Sequence, residues 1–315
     1  MSRLLVATGE ALVRVAGREA DVLLERPGLQ TVAVDPGVPE RIAVGCRGAG
    51  VWLSGDGGST WSDARLPAQD VFSVAFGPDG ALYAGCEPSA LYVRRGDAPW
   101  RELATLRELP SAPTWSFPPR PWTSHVRWIA PSPHDADVVL VGIELGGLMR
   151  TEDGGETWAD HRPGAQRDVH ALAWHPTERG RAYEAAGGGA AWSRDEGETW
   201  EPADEGRDRH YTWALAVDPD DPGRWYVSAA PGPFEAHGSR PAQAALYRWS
   251  GEGPWEELDL GLPRPLEAMP YALAWSDGRL VAGLRDGRIL ESEDGGDTWR
   301  DGGTAGLDRI VAMAA

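Results

Sequence analysis

The chain is short of basic residues, cysteine and long apolar runs, and each shortage removes a class of function. Thirty Lys and Arg stand against 48 Asp and Glu, a formal net charge of −18. Such a chain repels phosphate backbones and anionic lipid surfaces, so neither nucleic acid nor membrane is expected as a partner, and the acidity serves solubility. No apolar run approaches the roughly 20 residues of a membrane-spanning helix, and the segment from Met1 to Thr8 is too short for a secretory signal. With no leader and two cysteines, Cys46 and Cys86, a cytoplasmic setting with free, buried thiols is expected. No Cys-x-x-Cys or His-x-His spacing offers a local metal motif. Gly187-Gly188-Gly189 lies in a hairpin between two strand-like runs, not at a strand-to-helix turn, so there is no nucleotide-binding glycine loop.

What the chain does have is turns: 40 Gly, 26 Pro and 16 Trp in 315 residues, with helical periodicity nearly absent. One eight-residue stretch is written four times. It reads Ser54-Gly55-Asp56-Gly57-Gly58-Ser59-Thr60-Trp61, and returns with its Asp at Asp153, Asp195 and Asp294. The shared pattern is Ser/Thr-x-Asp-x-Gly-x-Thr-Trp, each copy following an apolar run. Such a box suits a hairpin: the Asp accepts from turn N–H groups, the Gly takes positive φ, the Thr restarts a strand and the Trp packs on a neighbouring sheet.

The four boxes resemble the Asp-box (BNR) repeat of sialidases, xyloglucanase-type glycosidases, sortilin-like receptors and photosystem II assembly factors. In that family the box is structural, so Asp56, Asp153, Asp195 and Asp294 are expected to hold turns rather than perform chemistry.

Between the boxes a second repeat recurs. Short apolar strands with a small central residue begin near Thr31, Val71, Val126, His170, Trp213, Tyr271 and Arg309, seven in all. A unit of roughly 40–50 residues with several strands reads as a β-propeller. The chain opens on what should be a second strand, and the seventh inner strand lies at the C-terminus. The expectation is therefore an all-β fold: a single seven-bladed β-propeller over residues 1–315, with the C-terminal strand closing the first blade and leaving no open edge. An open solenoid of repeats is the alternative.

In propellers of this family the boxes lie on one face and ligands bind the other. Two insertions fall on the second face, residues 106–124 and 229–244, and loops of this length are usually functional. Their aromatics Trp115, Trp122 and Phe234 are expected to exclude water from the mouth. Aligned on their turns, the repeats place Gln30, Phe72, Arg127, His170, Trp213, Tyr271 and Arg309 at the heads of the inner strands. Asp70, His125, Asp168, His210 and Tyr211 come just before them. The inner loops add Arg47, Glu87, Glu144 and Arg285, and Glu184 aligns with Gly142.

Several chemistries fit such a mouth. The sialidase resemblance implies three arginines on a substrate carboxylate, for which Arg127, Arg285 and Arg309 are the candidates. The Arg-Ile-Pro motif of that family is missing, and sialidases have six blades. Xyloglucanase-type enzymes place their cleft between two propellers. A glycosidase with local carboxylates would use Glu144 and Glu184 as its catalytic pair. His125, His170 and His210 stand before or at the heads of three consecutive inner strands, but in different registers, so no metal is assigned and no cofactor is named.

The expectation is a monomeric binding propeller. It would take a small polar, anionic or carbohydrate-like ligand, or a protein partner, through Arg127, His170, His125, His210, Tyr211, Trp213, Arg285 and Arg309. The alternative is a glycoside hydrolase with its active site at the central mouth.

Overall fold

The computed structural model describes residues 4–117, 123–303 and 306–315. Seven antiparallel sheets are arranged around one axis. The inner strands of blades two to seven are Leu29–Val34, Val71–Phe76, Val126–Pro131, Val169–Trp174, Tyr211–Val217 and Pro270–Ser276. Blade one takes its inner strand, Ala312–Ala314, from the C-terminus, and that strand pairs with Leu4–Ala7 through Leu5↔Ala314, Val6↔Met313 and Ala7↔Ala312. The seven-bladed ring and its closure are those expected from the repeats. Blade four has three strands among the described residues, with an isolated Arg150↔Ala159 bridge where others have a fourth strand. Among the described residues no helix is long and apolar enough to cross a membrane.

Neighbouring blades interlock through glycine. A Cβ on Gly45 would stand 2.6 Å from Val71, one on Gly85 2.5 Å from Val126, and one on Gly142 2.4 Å from Val169. Each of these three second strands therefore accepts the first side chain of the next blade's inner strand where a larger residue would push the blades apart.

The boxes act as turn staples. Asp56 accepts from the Thr60 N–H at 2.8 Å, the Thr60 hydroxyl at 2.6 Å and the Ser54 hydroxyl at 2.8 Å. Asp153, Asp195 and Asp294 repeat this pattern with Thr157, Thr199 and Thr298. These bonds hold the Asp56, Asp153 and Asp294 carboxyls down at about 2. One detail differs from expectation. The Thr sits inside the turn, its hydroxyl spent on the Asp, and the two-residue fourth strand of blade two starts only at Ser62. Cys46 and Cys86 are buried free thiols, as the sequence implied.

Candidate functional site

The mouth of the ring is built by a repeated defect in the sheets. In six blades the inner strand slips register near its start, after one pair in five of them and after two in blade six, skipping Gln30, Phe72, Arg127, His170, Trp213 with Ala214, and Tyr271. A bulge of this kind re-aims the unpaired side chain. All of these residues line a cavity of about 320 Å³ along the axis. Gln30, Phe72, Arg127 and Trp213 also line a second cavity of about 480 Å³ above it. There they are joined by Arg47, Phe117, His125, Glu144, Asp168, Tyr211, Phe234 and His237. In a four-stranded antiparallel blade the loops joining strands two to three, and those leading into strand one, share an end. The boxes, between strands three and four, lie at the other end.

Glu144 sits at the centre of the charged part. Its Oε2 lies 2.6 Å from His125 Nε2, close enough for the ring N–H to donate, and 3.6 Å from Arg127 Nε. Burial opposes its charge. The His125 hydrogen bond and the Arg127 guanidinium outweigh burial and hold the carboxyl down at about 2. His125 is stacked on Phe72 at 3.8 Å between ring centres and meets the Phe117 edge at 5.0 Å. Arg127 lies with its guanidinium carbon 4.5 Å from the Trp213 ring centre. Among the described residues its terminal nitrogens have no hydrogen-bond partner.

The next blade contributes His170 and Asp168. His170 Nδ1 is 2.5 Å from the Thr212 carbonyl oxygen, and its Nε2 is 3.6 Å from Asp168 Oδ2. Burial disfavours protonation of His170, with Asp168 pulling the other way. Burial raises the Asp168 carboxyl, countered by His170 and reinforced by Glu144. His237, on the short helix Pro233–His237 of the second insertion, bridges Tyr211 and Tyr271 at 2.9 and 2.8 Å to their hydroxyls. Burial, with the positive fields of His170 and Arg127, pushes His237 down to about 4.

Of the residues the sequence singled out, Arg127, His125, Glu144, Tyr211 and Trp213 meet in the upper cavity, and His170 lines the axial one beneath. Arg285 lines neither cavity but stands behind the wall, with its guanidinium carbon 5.8 Å from the Tyr271 ring centre. It donates to the Gly238 carbonyl at 2.6 Å and so anchors the second insertion.

Four expectations need correcting. Glu184 aligns with Val141, not Gly142: Ala185 pairs with Ala171 as Gly142 pairs with Trp128. A one-residue offset in a strand turns a side chain to the other face. Glu184 is consequently buried outside the mouth, where the Gln166 N–H donates to it at 2.9 Å. Arg309 does not head the last inner run, which begins at Ile310 pressing on Gly283 as Val71 does on Gly45; Arg309 is exposed, with its guanidinium carbon 5.9 Å from the Tyr271 ring centre at the edge of the mouth. His210 is exposed and lines neither cavity, so the three histidines do not converge. Trp115 is buried beside Ile143 and Gly146, its indole N–H on the Ser111 hydroxyl, and Phe117 reaches the mouth in its place. Phe234 does line the mouth and is largely exposed, while Trp122 lies outside the described residues.

No protein-family model and no curated protein matches the chain. Solved structures do. The GH74 xyloglucanase from Xanthomonas campestris matches with a TM-score of 0.66 at 19% identity, over 96% of this chain and 47% of that one. The Niastella koreensis GH74 enzyme matches with a TM-score of 0.69 at 13% identity, over 98% and 52%. YCF48 bound to D1 peptide matches with a TM-score of 0.61 at 17% identity, over 95% and 85%. The chain spans about half the length of these GH74 enzymes, and at such identities the likeness shows the fold.

Proposed function

We propose that this chain is an Asp-box repeat propeller that works as a binding module, its mouth taking a small polar ligand with an anionic group. The observation that carries this reading is Arg127. Its guanidinium is buried and stacked on Trp213, and its terminal nitrogens, unclaimed by the described residues, border a cavity of about 480 Å³. Phe72, Tyr211, Trp213 and Phe234 supply apolar walls, while Arg127 and Arg47 supply cations. A site with aromatic walls and a few placed polar groups is the usual form of a small-molecule site, and exclusion of water strengthens each charged contact. That YCF48 is seen with a peptide is compatible with a partner segment filling the same mouth.

The test is a thermal-shift screen of organic acids, sugar acids and sugar phosphates, run with a chelator present. Hits are expected for wild type and lost in Arg127→Gln and Trp213→Ala, with both variants folded by circular dichroism. Hits that survive in both variants would place the ligand elsewhere.

A hydrolase reading has one specific support. Glu144 and Asp168 each offer a carboxylate oxygen within 4.8 Å of the other. Glu144 is held low and Asp168 raised, an acid and nucleophile separated in the manner of retaining glycosidases. Turnover of an aryl glycoside by wild type, abolished in Asp168→Asn, would favour this reading over simple binding.

A further inference from the structure

The His170 ring has its tautomer fixed by its surroundings. A carbonyl oxygen can only accept, so the 2.5 Å contact with Thr212 O places the proton of the neutral ring on Nδ1. Nε2 is then a bare lone pair. It is buried, has no hydrogen-bond partner, and points at Asp168 Oδ2 from 3.6 Å. Asp168 Oδ1 is also buried without a partner. One oxygen of Glu144 completes the group, and the three ligand atoms all lie within 4.8 Å of one another. His170 Nε2 and Asp168 Oδ1 are thus buried acceptors without a donor, beside a Glu144 carboxylate whose own partners are His125 and Arg127, and a cation set among the three ligand atoms would satisfy both.

We propose that Glu144, Asp168 and His170 form a site for a divalent first-row transition ion, with zinc the best match to one imidazole and two carboxylates. The supporting contacts suit that role. A metal-bound imidazole commonly donates its other N–H to a backbone carbonyl, as His170 does to Thr212. Glu144 is steadied by His125 and by Arg127. Asp168 is hemmed in by the hairpin at Gly187, where a Cβ would stand 2.0 Å from Oδ2. No single loop carries the ligands. Asp168 and His170 lead blade five and Glu144 comes from the inner loop of blade four, so the ion would clamp the seam between blades.

Ligand atoms about 2.1 Å from a tetrahedral ion stand about 3.4 Å apart, so binding draws the side chains inward by roughly 1 Å. Three protein ligands leave a fourth position open, and Glu144 and Asp168 both line the upper cavity. An ion there would polarise whatever oxygen fills that position. The site stands on its own geometry and needs no particular ligand at Arg127.

The experiment uses the full chain, stripped with chelator, and Zn2+ alone as probe. Calorimetric titration is expected to give one ion per chain. His170→Ala and Asp168→Asn are each expected to weaken binding at least about 100-fold, since even supporting residues cost 10–100-fold. His210→Ala, which removes an exposed imidazole, leaves it unchanged. The visible bands of Co2+ in place of Zn2+ give a second readout, present in wild type and lost in the isosteric Asp168→Asn even if His170→Ala does not fold. Absence of saturable binding by wild type overturns the proposal. So does Zn2+ affinity in Asp168→Asn equal to wild type, or Co2+ bands that survive it.

Discussion

His125 and Glu144 are joined by a 2.6 Å contact between Nε2 and Oε2, with both side chains shut away from solvent. The bond crosses from the residue before an inner strand to the loop between strands two and three of the same blade. It offsets the burial of a charged carboxylate. Replacing His125 by Ala leaves that charge with Arg127 alone, and a cost of about 3 kcal/mol is expected in urea unfolding. Glu144→Gln in the same background should recover part of this loss, because the stranded charge is gone. If the double variant is as unstable as the sum of the two singles, the two groups are not coupled.

The boxes are expected to be staples and nothing more. Asp153 accepts from the Thr157 N–H, the Thr157 hydroxyl and the Thr151 hydroxyl, at the end of the blade away from the mouth. Asp153→Ala should lower stability by about 1–3 kcal/mol. Ligand or metal binding at the mouth should not change. The Asp153 pKa is lowered from 3.8 to about 2, chiefly by Thr157. Its stabilising effect is therefore present above pH 3.8 and fades as pH falls toward 2. A binding loss at unchanged stability would contradict the structural role.

Ring closure predicts a sharp response to truncation. Deleting residues 308–315 removes the strand paired with Leu4–Ala7 and the buried Ile310. Leu5 and Val6 would then lie on an open edge strand. Aggregation or loss of a cooperative melt is expected. A soluble truncation with a single sharp transition would show that the ring does not need its last strand.

The periodic part of the molecule was legible in the sequence because propeller repeats state their geometry many times. The seven inner strands could be counted, and aligning them placed Gln30, Phe72, Arg127, His170, Trp213 and Tyr271 at one height, where the bulges turn them to the axis. Register is less legible. Glu184 and Arg309 lie in short apolar runs that align almost equally well one residue apart, and a strand's two-residue period makes such small offsets decisive. Blade five gave no Gly to mark the position, because Ala185 occupies it. Contacts made across blades were also invisible. His237 lies in an insertion with no repeat to align against, and only the fold brings it between Tyr211 and Tyr271. The repeat spacing puts Asp168 near the mouth, but its opposition to His170 depends on side-chain direction, which no spacing encodes.

Glu184 carries the last prediction. It is fully buried on the second strand of blade five, with one oxygen accepting from the Gln166 N–H and the other without a partner. Burial raises its pKa from 4.5 to about 8, the Gln166 contact opposing the rise. At pH 4.5 and below the folded and unfolded chains both hold this proton, and the neutral carboxyl is tolerated in the interior. Between pH 4.5 and about 8 the folded chain keeps a proton that the unfolded chain has released, so stability falls as pH rises across this window. The total effect is on the order of a few kcal/mol. Glu184→Gln supplies a neutral side chain of the same shape at every pH, and it should flatten the alkaline fall in melting temperature while matching wild type near pH 5. Melting curves of the two proteins from pH 5 to 9 decide the matter, and parallel pH profiles would mean that Glu184 does not set this dependence.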